Sequence, residues 1–83
     1  SMLPTLESGE RVLVDPRASI HEGDIILANH PFKSLQIIKR LLSIESDGRM
    51  FLTGDNPDES SDSRVFGVIN RKHLVGKVVS RLK

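Results

Sequence analysis

Eighty-three residues make one domain at most, and a chain this short buries only about 60% of the surface its unfolded form exposes, so its core must be compact. Hydrophobic residues are 37% and charged residues 28%, which argues against disorder. The absence of cysteine excludes disulfides, thiolate zinc sites and a cysteine nucleophile, and a net charge of +1 announces neither nucleic acid nor lipid headgroups as a partner.

Short β-branched blocks separated by Gly, Pro, Asp and Asn predict strands and turns. Arg11 to Val14 is the first strand, entered from Ser8-Gly9-Glu10 and closed by Asp15-Pro16. Gly23-Asp24 opens the second, Ile25 to Ala28, which Asn29-His30-Pro31 ends. Its run Ile25-Ile26-Leu27-Ala28 is the longest uninterrupted apolar stretch, far below the roughly 20 residues that span a bilayer. The first residues also lack the basic start of a signal peptide. The expectation is a soluble chain forming a single domain over residues 1–83.

The third segment, Leu35 to Ile44, reads either as an amphipathic helix or as a strand. As a strand it sets Leu35, Ile37, Lys39, Leu41 and Ser43 on one face and Gln36, Ile38, Arg40, Leu42 and Ile44 on the other. Both faces are mostly apolar, which predicts cover on both sides. Asp47-Gly48 behind it is a hairpin signal, favours the strand, and pairs it antiparallel with Arg49 to Thr53. Gly54 to Ser63 is too polar to be other than a loop. A short strand or turn is expected from Val65 to Ile69, and a last strand, Leu74 to Leu82, after a helical turn capped by Asn70. The fold class is mainly β.

Lys39 is a cation between Ile37 and Leu41 on an apolar face. Its ordinary explanation is snorkelling or a carboxylate partner; the sharper one is a lysine kept neutral by desolvation, serving as a general base. A base needs a nucleophile, and Ser1 stands directly before the proline-bearing stretch Met2-Leu3-Pro4-Thr5-Leu6, although a terminal Ser-Met is also what a cleaved expression tag leaves. The loop Gly54-Asp55-Asn56-Pro57-Asp58-Glu59-Ser60-Ser61-Asp62-Ser63-Arg64 has neither the sixth-position glycine nor the twelfth-position glutamate of an EF-hand. It reads as a plain solvated loop, or as one folded on Asp–Arg pairs that presents a serine to the lysine. His21, His30 and His73 lie in turn-like contexts and are expected to be exposed and non-catalytic. Arg71, Lys72, Lys77, Arg81 and Lys83 have no Trp or Tyr beside them for base stacking, and are expected to form a solvated face that binds no nucleic acid.

Taken together, Ser-Met-Leu-Pro-Thr-Leu at Ser1 to Leu6, Gly-Asp-Ile-Ile at Gly23 to Ile26, Ile-Ile-Lys-Arg at Ile37 to Arg40, and the Gly54 to Arg64 loop with Gly67 after it resemble the four catalytic-domain motifs of type I signal peptidases (S26), in order. Val-Leu-Val-Asp-Pro-Arg, Asp-Gly-Arg-Met-Phe-Leu and the Gly-Lys-Val-Val ending further resemble the nickel-type superoxide dismutase maturation proteases, a short subgroup without the large inserted β-domain.

The resemblance implies a small coiled antiparallel sheet like the catalytic core of signal peptidases and LexA-type repressors. It makes Ser1 the nucleophile and Lys39 the general base of a serine–lysine dyad. Ser60 orients the lysine; Asp55, Asp62 and Arg64 brace the loop by ion pairs, with Arg40 as one partner; Met2 walls the pocket. No metal or cofactor is required. The implied partner is an extended leader segment of a protein substrate, under the subgroup reading a nickel superoxide dismutase precursor, with small residues near the cut. That reading favours the cytoplasm, whereas an anchor upstream of Ser1 would associate the enzyme with a membrane. The family's oxyanion hole uses the nucleophile's backbone N–H and a group upstream of it. Ser1 has a free α-amine there, which is itself a candidate base as in N-terminal nucleophile hydrolases. Two other readings stay open: a LexA-type self-cleaving regulatory domain, and a non-catalytic peptide-binding β-domain if Ser1 is a tag remnant. The oligomeric state is undecided.

Overall fold

The computed structural model describes residues 11–55 and 63–82. They form β1 (Arg11–Asp15), β2 (Ile25–Asn29), β3 (Gln36–Ile44), β4 (Met50–Thr53), a one-turn helix α1 (Ser63–Phe66), a 3-10 turn (Arg71–His73) and β5 (Leu74–Leu82). The five strands make one sheet in the order β1-β5-β2-β3-β4, with every pairing antiparallel. The described chain is therefore mainly β, as the punctuation of the sequence predicts. Asn70 caps the 3-10 turn by accepting the Lys72 N–H at 3.0 Å, and β5 starts directly after it.

The two hairpins are built by their turns. In β2–β3, His30 N donates to Leu35 O at 2.8 Å, and the His30 ring nitrogen Nδ1 accepts from Phe32 N and Lys33 N at 3.0 and 3.1 Å. His30 is thus half-buried and structural, with its ring edge-on to Phe66 at a centroid distance of 5.0 Å. His73 is half-buried too, and only His21 of the three is exposed as expected. In β3–β4 the turn needs a left-handed backbone, which Gly48 supplies at φ 90° without the backbone strain other residues carry there.

The core consists of Ile20, Ile26, Ala28, Leu41, Met50, Leu52 and Ile69, with Ile37, Ile44, Phe66 and Leu74 packed against it. It lies against one face of the sheet. The expectation of β3 covered on both sides is therefore corrected: Leu42 is 54% exposed. Alternation alone sends Leu42 to the uncovered face, and a bulge beside it takes Ile44 off that face. Leu41 pairs with Leu52 and Ile44 with Met50, so three steps on β3 match two on β4, and the extra residue reverses the alternation. Ile44, not Ser43, then joins the core side.

Two further expectations change. Ser63, expected in the loop, opens a one-turn helix to Phe66, and of the strand or turn expected from Val65 to Ile69 it is the turn that forms, because Gly67, at φ 80°, donates its N–H to Ser63 O at 2.9 Å and closes it. Ile69 then makes only an isolated bridge to Met50. Lys77 does not belong to a solvated face: it pairs with Ile26 across the sheet and its ammonium lies 3.5 Å from Asp24 Oδ2.

Candidate active site

β3 sits between β2 and β4, so its alternation decides what the sheet's core face presents. Lys39 faces Ile26, and Ile37 faces Ala28. Because directly paired residues project from the same side, Lys39 shares the face of the most deeply buried apolar residues. It is only 7% exposed. Ile37 and Leu41 flank it on that face; Ile38 belongs to the other. Among the described residues no hydrogen bond or ion pair reaches the Lys39 amine.

Lys77 makes an instructive neighbour. Both lysines pair with Ile26, one from each side, so they occupy the same row of the same face. Lys77 has a carboxylate, Asp24, whose Oδ2 also accepts the His21 N–H at 2.8 Å. Lys39 has apolar neighbours instead.

Arg40, one residue on, projects from the opposite face and makes a fork. Its Nε donates to Asp55 Oδ1 at 2.8 Å and its Nη2 to Asp55 Oδ2 at 2.7 Å, while Nη1 donates to Gly23 O at 2.7 Å. Hydrogen bonding to Asp55 raises the Arg40 pKa above its ordinary value; partial burial opposes this and the Asp55 charge reinforces it. The clamp joins three of the motif segments read from the sequence: the Gly23 turn, the Lys39-Arg40 pair and the Gly54-Asp55 entry to the loop. Arg40 pairs with Thr53, the last residue of β4 before Gly54.

The far end of the loop returns to the same place. Ser63 is 3% exposed, and its Oγ accepts the Leu52 N–H at 2.8 Å. Ser63 lay inside the recognised motif, yet no local signal separates it from its neighbours Ser60 and Ser61; only the return of the chain onto β4 does. Arg64 follows on α1 and is exposed. Ser1, Met2, Ser60 and Asp62 lie outside the described residues. Among the described residues, no group of three or more His, Asp or Glu is placed to hold a metal ion.

One edge beside Lys39 is open. Leu41 N donates to Asp24 O, and Leu35 O accepts from His30 N, so the odd-numbered residues of β3 bond to β2. Gln36 and Ile38 then direct their backbone N–H and C=O groups the other way. β4 pairs only as far as Arg40, and among the described residues nothing pairs with that side of Gln36 to Ile38.

A chain that sets a buried lysine on a small antiparallel sheet has known counterparts. Residues 43–83 match the family model described as signal peptidase, peptidase S26. The mitochondrial inner membrane protease subunit 1 of Xenopus tropicalis is 33% identical over 106 residues, covering 99% of this chain and 64% of that protein. The probable signal peptidase I-1 of Synechocystis is 28% identical over 131 residues, covering 98% and 66%, and signal peptidase IB of Staphylococcus aureus is 35% identical over 60 residues, covering 72% and 31%. The chain is thus similar to the S26 signal peptidases, and its five-stranded sheet is consistent with a small peptidase-like domain of that kind. It spans about two thirds of the length of the first two relatives. Among the described residues no helix is long and apolar enough to cross a membrane.

Proposed function

We propose that this chain is a serine endopeptidase, folded as a single catalytic domain, that removes a leader from a protein substrate with Ser1 as nucleophile and Lys39 as general base. The observation that carries this reading is a lysine buried on an apolar face, without a carboxylate partner among the described residues, next in sequence to the Arg40 that clamps Asp55 at the start of the Gly54 loop. In its amine form Lys39 takes the proton of the Ser1 hydroxyl as the oxygen attacks the scissile carbonyl. It returns that proton to the departing amine when the peptide bond breaks, and then takes one from the water that hydrolyses the acyl-enzyme. Ser60 orients the lysine, and Arg40, Asp55, Asp62 and Arg64 hold the loop in reach of it; Met2 walls the pocket. None of these steps calls for a metal or an organic cofactor.

The open edge of Gln36 to Ile38 supports docking of the substrate as an added strand, with small residues near the cut. The finer reading is removal of the leader of a nickel superoxide dismutase precursor, in the cytoplasm. Its support is the sequence resemblance of the Val12 to Arg17, Asp47 to Leu52 and Gly76 to Val79 stretches.

The test is single-turnover cleavage of that precursor, and of a quenched fluorescent peptide with alanines flanking the cut, by the parent chain beside Lys39→Met and Ser1→Ala. Both variants should lose about 10⁴-fold in rate. Parental turnover by Lys39→Met would exclude the dyad. Cleavage of the peptide with none of the precursor would keep the peptidase and exclude the nickel-enzyme leader.

A further inference from the structure

The Ser63 hydroxyl is buried, bonded and assigned no part in the chemistry above. Its partner, the Leu52 N–H, lies on the outer side of β4, the edge strand of the sheet. A buried edge N–H needs an acceptor, and an edge strand is normally served by another strand. Here the service is divided. Met50 exchanges both backbone bonds with Ile69 at 2.9 Å, while Leu52 is satisfied by a side chain. Leu52 is itself fully buried and pairs with Leu41, two residues from Lys39 on the same face.

Resting on the proposed dyad, we infer that Ser63 is a positioning residue: its hydroxyl latches the returning end of the Gly54 loop onto β4 and so sets the distance between that loop and Lys39. Both described ends of the loop are held. It leaves the sheet after Thr53, is clamped at Asp55 by Arg40, and comes back at Ser63 onto Leu52, inside its own departure point. The Ser63 hydroxyl holds the return, and α1, which follows it, is one turn long. A hydroxyl serves both needs of the place. It accepts the strand N–H in the absence of water, and it is small enough to start a helix against β4. The latch touches no reacting atom, so it acts on the rate through the orientation of the loop and leaves substrate docking along β3 alone.

The experiment measures kcat and KM on the alanine-flanked peptide for the parent, Ser63→Ala, Ser63→Cys, Asn70→Ala and Lys39→Met, well below the melting temperature of each, with hydrogen exchange of the Leu52 amide followed in parallel. Asn70→Ala removes a cap remote from the loop and controls for loss of stability alone. Ser63→Ala should lower kcat by about 100-fold with KM within twofold, as a small misplacement does, and Leu52 exchange should accelerate while that of Met50 does not. Ser63→Cys, nearly the same size with a weaker acceptor, should fall between; it carries the test if the alanine variant does not fold. Parental kcat in both Ser63 variants, or an equal loss in Asn70→Ala, overturns the latch. Full activity in Lys39→Met overturns the dyad instead, and unchanged Leu52 exchange then rejects the latch independently.

Discussion

Two connections leave the β3–β4 hairpin, and they are held in opposite ways. The turn from Glu45 to Arg49 is bonded almost wholly to itself: Glu45 N to Arg49 O at 2.8 Å, Gly48 N to Glu45 O at 2.9 Å, and Arg49 to the carboxylates of Asp47 and Glu45 at 2.8 and 3.2 Å. The segment from Gly54 to Ser63 is tied at its ends to distant parts of the molecule, Asp55 to Arg40 and Ser63 to Leu52. A self-bonded turn sets a strand register and nothing more. A connection anchored on β3 and β4 inherits the position of Lys39, and a loop meant to orient that lysine has to be anchored there.

The comparison predicts that breaking the second connection costs activity, whereas breaking the first costs only stability. Asp55→Ala should have the largest effect, slowing cleavage about 10- to 100-fold through a displaced loop entry and lowering stability by about 1–2 kcal/mol in a denaturant titration. The Arg40 side chain is 32% exposed, so solvent screening holds that loss well below the cost of breaking a fully buried pair. Arg40→Lys keeps the charge but not the fork, and should behave more like Asp55→Ala than like the parent.

In the first connection, Gly48→Ala should cost about 1 kcal/mol in the same titration, because the new Cβ meets no atom within 4 Å and only the backbone is strained. Its cleavage rate should stay within twofold of the parent. The smallest effect belongs to Asp47. The Arg49 backbone N–H, and to a lesser degree its guanidinium, hold the Asp47 carboxyl below its ordinary range against a slight desolvation. A carboxyl depressed in the folded state stabilises it above the unfolded-state pKa and loses that contribution as pH falls through the folded value. The melting-temperature difference between parent and Asp47→Asn should therefore be constant near neutrality and shrink below about pH 4.

The same contrast explains what the sequence could show. Asp47-Gly48, Gly23-Asp24 and the Asn70 cap are local devices, and strands Arg11–Asp15, Ile25–Asn29 and Met50–Thr53 lie within a residue of their expected bounds. The β3 bulge was illegible, because alternation alone turns Leu42 outward and only the pairing with β4 brings Ile44 round to the core side. The α1 turn was undecided for a similar reason: Val65 and Phe66 read as strand or turn until Gly67 closes the helix. At the site, the burial of Lys39 followed from alternation. The opposite fate of Lys77, in the same row, did not, since it depends on Asp24 arriving from another strand. Likewise nothing in the spacing of three serines between residues 60 and 63 marks which hydroxyl will meet Leu52.

The most direct measurement of the central claim is trapping the acyl-enzyme. The parent chain and Lys39→Met would each be mixed with an activated ester of an alanine-ending peptide, quenched in acid within milliseconds to seconds, and mapped by peptide mass spectrometry. The dyad predicts an acyl group on the hydroxyl oxygen of Ser1 in the parent and almost none in Lys39→Met. Acylation of Ser1 at the same rate in both chains, or of another residue in the parent, would contradict it.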